Sequence, residues 1–150
     1  EAFSQKYGGA AIRITNVSVL NGEKSTTVIA PATVGAGNSD LTISQAPDTD
    51  GDYYRSLFYL FENGQRSGEG CVTLRIEALF DMDGDFSTAT DQIVAQYSVK
   101  LNHAGNGVVK RNSYYRIDAG LQGLDGHEIE ATIRVADWEG PITQEETLGK

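Results

Sequence analysis

Cysteine is nearly absent. Cys71 is the only one, which excludes an internal disulfide framework and a cysteine-based zinc site. It falls in an alternating segment and is expected to pack as a small residue, leaving the redox compartment open. Long apolar runs are missing too. The densest is Leu57 to Phe61, far short of the roughly 20 residues of a spanning helix. Positive charge is in deficit, with 12 Lys and Arg against 21 Asp and Glu, a formal net charge of -9. The deficit is concentrated in residues 76–150, where six basic residues face thirteen acidic ones, against six and eight in residues 1–75. Phosphate backbones and anionic membrane surfaces repel such a chain, so nucleic-acid partners are not expected.

The chemistry of catalysis is equally thin. The two histidines, His103 and His127, both lie beside turn signals, where a lone imidazole is usually solvated. No nucleophile elbow or histidine-rich metal motif occurs, and neither Gly8-Gly9 nor Gly35-Ala36-Gly37 opens a helical pattern that would make a phosphate loop. Carboxylates are plentiful, but a glycosidase needs two of them facing across a cleft. A non-enzymatic role is expected. The chain starts at Glu1 with no basic and then apolar leader, which is compatible with a processing boundary.

What the sequence has is turns between alternating segments. There are 17 glycines but only 3 prolines, and the pairs Asn21-Gly22, Asn63-Gly64, Asn106-Gly107 and Asp125-Gly126 are strong short-range hairpin signals. The first separates Ala11 to Leu20 from Ser25 to Ala30, a natural hairpin. The second follows the aromatic run Leu57 to Phe61 and precedes Val72, Leu74, Ile76, Ala78 and Phe80, all of one parity, which predicts the core of one sheet. The third separates Ile93 to Leu101 from Val108 to Gln122, and the fourth leads into the last strand. With a short Leu41-Thr42-Ile43 strand the total is about eight. Thr88 to Gln96 has room for a helical turn or two, although Thr, Ile and Val are mediocre helix formers. At 150 residues these elements fit one domain, 1–150, with an all-β fold: an antiparallel two-sheet β-sandwich.

The final strand is the most regular. From Glu128 to Val135, apolar Ile129, Ala131, Ile133 and Val135 share one face and charged groups take the other, before Trp138 and a polar tail. A terminal strand is also an element that a β-protein can exchange with a neighbour.

Two loops share a pattern, Asp48-Thr49-Asp50-Gly51-Asp52 and Asp81-Met82-Asp83-Gly84-Asp85. Carboxylates at alternate positions around a glycine can wrap a hard cation, and calcium accepts six to eight oxygens in flexible geometry. Neither loop has the EF-hand spacing, and Asp and Gly are ordinary residues of exposed turns. Asp81, Asp83 and Asp85 are the better candidate metal ligands, because Ser87 and Asp91 add oxygens nearby. Tyr53, Tyr54, Tyr59, Tyr114 and Trp138 could stack on sugars, but core and edge packing is the more ordinary role for most of them. The sequon Asn16-Val17-Ser18 lies inside an expected strand.

Three segments, in order, resemble a known family. Phe58-Tyr59-Leu60-Phe61-Glu62-Asn63 is similar to a strand end of the Bacteroidales fimbrillins, the type V pilins. Lys110-Arg111-Asn112-Ser113-Tyr114-Tyr115-Arg116-Ile117 resembles a later strand of that family, and Val135-Ala136-Asp137-Trp138-Glu139 resembles the end of its last strand. The resemblance implies a Greek-key, transthyretin-like sandwich corresponding to the C-terminal domain of a fimbrillin. It implies a structural or adhesive subunit of an outer-membrane-attached fimbria at the cell surface, with other pilus subunits, and surface glycans or proteins, as partners. Polymerisation by β-strand exchange follows, with Ile129, Ala131, Ile133, Val135 and Trp138 as the candidate assembly strand. The alternative from another class is a calcium-assisted carbohydrate-binding module of a secreted or surface protein.

Overall fold

Alternating apolar and polar side chains, punctuated by Asn, Asp and Gly, fold here into strands. The computed structural model describes residues 6–23, 41–51, 53–64, 70–101, 109–110 and 112–137. Its elements are β1 (Ala11–Gly22), β2 (Leu41–Gln45), β3 (Asp48–Asp50), β4 (Tyr53–Arg55), β5 (Thr73–Asp81), β6 (Gln92–Lys100), β7 (Ser113–Leu121) and β8 (Ile129–Asp137). The protein is all-β with antiparallel sheets. One sheet has the order β2-β1-β5-β6, and two-stranded sheets are formed by β3-β4 and β7-β8. Among the described residues no helix is long and apolar enough to cross a membrane.

β5 owes its central position to the parity read from sequence. It pairs with β1 on one side and β6 on the other, and Ile76, Ala78 and Phe80 are buried on the expected face. Two apolar clusters result. Ile76, Ala78, Ala95 and Tyr97 form one, against which Leu121 of β7 and Ile129 of β8 pack. Val19, Val72, Leu101 and Val109 form the other, and it receives Tyr115 and Ile117 of β7. The β7-β8 hairpin therefore covers the apolar face of the four-stranded sheet. Cys71 is buried beside this core, as its alternating context predicts.

Several turn expectations need correction. Asn21-Gly22 belongs to β1 itself, where the register against β2 shifts between Val19 and Gly22, and Asn21 adopts φ 59°. The expected partner, Ser25 to Ala30, lies outside the described residues. Leu57 to Phe61 is not a strand, because Asn63 leaves it to form an isolated bridge with Val109 instead of a ladder with β5. β6 and β7 are no hairpin either; they lie in different sheets, with Asn106-Gly107 outside the described residues. Thr88 to Gln96 has no helix, since from Gln92 the chain pairs with β5 residue by residue. Only Asp125-Gly126 closes a hairpin as read, joining β7 and β8 through nine consecutive pairs from Ser113↔Asp137 to Leu121↔Ile129.

Candidate functional site

The final strand's alternation is realised. Ile129, Ala131, Ile133 and Val135 are half-buried, while Glu130, Thr132 and Arg134 are exposed. One edge of β8 is consumed by β7 along its whole length. Among the described residues no strand pairs with its other edge, nor with the outer edge of β6. Between them runs a groove of about 710 Å³, with Ile129, Ala131 and Ile133 as one wall and Gln96, Ser98 and Lys100 of β6 along the other. The candidate assembly ladder is thus a groove wall held in place by its own hairpin. Trp138, assigned to the same ladder, lies outside the described residues.

The closed end of the groove is fixed by the β7-β8 turn. Gln122 N–H donates to Glu128 O, Glu128 N–H to Asp125 O, and His127 N–H to the Asp125 carboxylate. Gly126 lets this turn lie against β6, since a Cβ there would collide with the Gln96 carbonyl oxygen. The Tyr97 hydroxyl, 0% exposed, donates to Gly123 O at 2.6 Å. Burial pushes its pKa above the ordinary phenol value, with Tyr7 and Glu128 adding to the shift. The N-terminal segment completes the clamp. Lys6 Nζ donates to Glu128 Oε1 at 2.7 Å, and Leu124 N–H to the Tyr7 hydroxyl at 3.3 Å. The hydrogen bond from Lys6 is the main cause holding the Glu128 carboxyl below its ordinary value, and the same bond raises the Lys6 ammonium.

The two aspartate loops take different forms. Asp48–Asp50 and Tyr53–Arg55 make a minimal hairpin in which Arg55 and Asp50 form an exposed ion pair at 2.8 Å. The second loop joins β5 to β6, and there Asp81, Asp83 and Asp91 each bring one carboxylate oxygen within 4.8 Å of the others. Asp85 is turned to another task. Its Oδ1 accepts the Ser87 N–H at 3.0 Å, which is the leading cause of its lowered pKa. Asp83 Oδ1 accepts the Asp85 N–H at 2.8 Å. Asp91, which the sequence places as a nearby oxygen, is the third member of the cluster with Asp81 and Asp83.

The aromatics are more exposed than packing roles require. Tyr53 is 73% and Tyr59 80% accessible, and Tyr54 and Tyr114 are also exposed. For Tyr53 and Tyr54 the reason is that β3-β4 is a separate two-stranded sheet, whose residues are exposed throughout. The first two family-like segments meet at one end of the fold. Asn63, 1% exposed, exchanges backbone hydrogen bonds with Val109, and its Nδ2 donates to Asn21 O at 2.8 Å. The Lys110 N–H donates to the Tyr115 hydroxyl at 2.9 Å, and Phe58 and Leu60 pack on the same cluster as Tyr115. Asn63 and Tyr115 are architectural residues, tying an irregular segment to β7.

The residues that sequence reading missed are those of the β6 edge. Gln96, Ser98 and Lys100 look like the solvent side of an ordinary strand, and only the sheet order reveals them as a groove rim. No protein-family model, no curated protein and no solved structure matches the chain.

Proposed function

We propose that this chain is a non-enzymatic fimbrial subunit domain of a bacterial cell surface, a Greek-key, transthyretin-like sandwich that joins neighbouring subunits by β-strand addition. The observation that carries the reading is the groove between the edges of β6 and β8, which no strand pairs among the described residues, with Ile129, Ala131 and Ile133 as one wall. A nine-residue edge offers a row of backbone donors and acceptors, and proteins that do not use such edges shorten, charge or cover them. β2, the other edge of the large sheet, is blunted in this way to five residues. The β6 strand keeps nine residues, and from Gln96, where the Gly126 turn abuts it, to Lys100 its edge has apolar surface beside it, which is what an incoming extended segment needs. Main-chain bonds to the edge supply affinity, and alternate apolar side chains entering the groove supply register.

The direction of exchange in this proposal is acceptance: β8 forms the wall of the receiving groove, and a neighbour contributes the extended segment. Head-to-tail repetition of that contact builds a filament. A synthetic peptide of the Glu128 to Trp138 sequence, which has the required alternation, serves as the surrogate strand. It is expected to bind the full chain and to lose at least about tenfold in affinity to Ala131→Arg, a substitution worth about 1.4 kcal/mol or more at the groove wall. No binding to the parent chain at millimolar peptide contradicts the proposal.

The exposure of Tyr53 and Tyr59 favours a second reading, the carbohydrate-binding module, because a flat exposed ring can stack on a sugar face. A glycan array separates the two. Glycan binding abolished by Tyr59→Ala, with no peptide binding in the groove, establishes the second reading over the first.

A further inference from the structure

Asp81 ends β5 and is 0% exposed. Its Oδ2 accepts a hydrogen bond from Gln92 Nε2 at 3.1 Å, while its Oδ1, also shielded from solvent, has no hydrogen-bond partner. Asp91 repeats the pattern with a buried, unpartnered Oδ1. Buried carboxylate oxygens are normally paired with donors or bound to metal, because desolvating a charge without compensation is costly. Here the two unpartnered oxygens belong to residues that stand in one cluster with Asp83. Among the described residues no ion pair reaches any of the three, and the nearby Arg13 guanidinium lies 4.1 Å from the Phe86 ring centroid. The Gln92 amide shows how oxygen-rich the corner is, since its one nitrogen also contacts the carbonyl oxygens of Phe86 and Thr88, at 3.4 and 2.8 Å.

We propose that Asp81, Asp83 and Asp91 bind a divalent calcium ion that locks the β5-β6 connection. The donor set is all oxygen with no imidazole or thiolate, which selects a hard cation. Ligands on one calcium, with bonds of about 2.3–2.6 Å, stand up to roughly 5 Å apart, and the carboxylate oxygens here lie within 4.8 Å of one another. Magnesium bonds of about 2.0–2.1 Å require a tighter, near-octahedral set. Asp83 is exposed, so water can complete the calcium shell on that side. The loop is built to hold this geometry. Gly84 adopts φ 80° and a Cβ there would press against the Gly9 carbonyl oxygen at 3.2 Å, so the turn is seated on the segment that opens β1.

The full chain is melted in EDTA and in about 10 mM calcium chloride at matched ionic strength. With a dissociation constant on the order of 0.1 mM, calcium raises the midpoint by roughly 5–10 °C. Asp83→Ala also removes the acceptor of the Asp85 N–H, so it melts slightly below the parent in EDTA, and it loses the calcium response. Asp91→Asn and Asp81→Asn lose it as well, and titration calorimetry finds one site in the parent and none in Asp83→Ala. No midpoint rise in the parent overturns the proposal, as does an equal rise with magnesium chloride or a full calcium response in Asp83→Ala.

Discussion

The β5-β6 and β7-β8 hairpins have ladders of the same length, nine pairs each, yet they are placed differently in the molecule. β5 has partners on both sides and carries Ile76, Ala78 and Phe80, all buried. β7-β8 stands as a sheet of two, with a half-buried apolar face and its outer edges unpaired among the described residues. Backbone pairing alone therefore does not distinguish a strand enclosed by partners from one with an edge to spare. The difference lies in how many edges and faces are already used, and the β7-β8 hairpin has capacity left over.

Substitutions that break this contrast differ in size. Phe80→Ala removes a buried ring that makes an edge contact with Tyr7, and it is expected to cost about 3–5 kcal/mol in denaturant unfolding. Tyr97→Phe leaves the Gly123 carbonyl without its donor and loosens the fixed end of the groove, costing about 1–3 kcal/mol by the same measurement. Ile133→Ala trims a residue that is only partly buried, so its stability cost is smaller, about 1–2 kcal/mol. Its larger effect is a weakened affinity for the Glu128 to Trp138 peptide. A cost for Ile133→Ala equal to that of Phe80→Ala would mean that β8 belongs to the core as fully as β5 does.

The smallest expected effect is a pH dependence confined to the clamp. Glu128 has a lowered pKa, so its contribution is present above its ordinary value of 4.5 and is lost as pH falls through the lowered one. Lys6 has a raised pKa, so its contribution is present below 10.5 and is lost as pH rises through the raised one. The difference in melting temperature between the parent and Lys6→Met should be flat between about pH 5 and 10 and shrink at both extremes, the remainder at low pH being the Lys6 hydrogen bond to the Gln122 carbonyl oxygen. A difference at about pH 2 as large as that at about pH 7 contradicts the assignment to this ion pair.

The strands were legible where one face is buried and the other wet. The β5 parity and the Ile129 to Val135 ladder could be read directly, because period-two alternation records which side meets the core. Pairing was not legible. Asn21-Gly22 and Asn63-Gly64 have hairpin chemistry, but Asn21 serves a bulge, and buried Asn63 brackets Val109 and Asn21. A local dipeptide cannot report which distant strand will occupy an edge. The acidic corner was half legible. Asp81 and Asp83 follow from alternate spacing and Asp91 reads as a nearby oxygen, whereas the use of the Asp85 carboxylate to cap the Ser87 N–H is visible only in the structure.

The central claim is that the edges of β6 and β8 receive a strand. Amide hydrogen exchange of the full chain, with and without saturating Glu128 to Trp138 peptide, tests it most directly. Added protection of about tenfold or more, concentrated in residues 96–100 of β6 and 129–133 of β8, where the groove runs, and absent from the β2 edge at 41–45, is the predicted result. Unchanged exchange at β6 and β8, or protection falling on β2 instead, would contradict it.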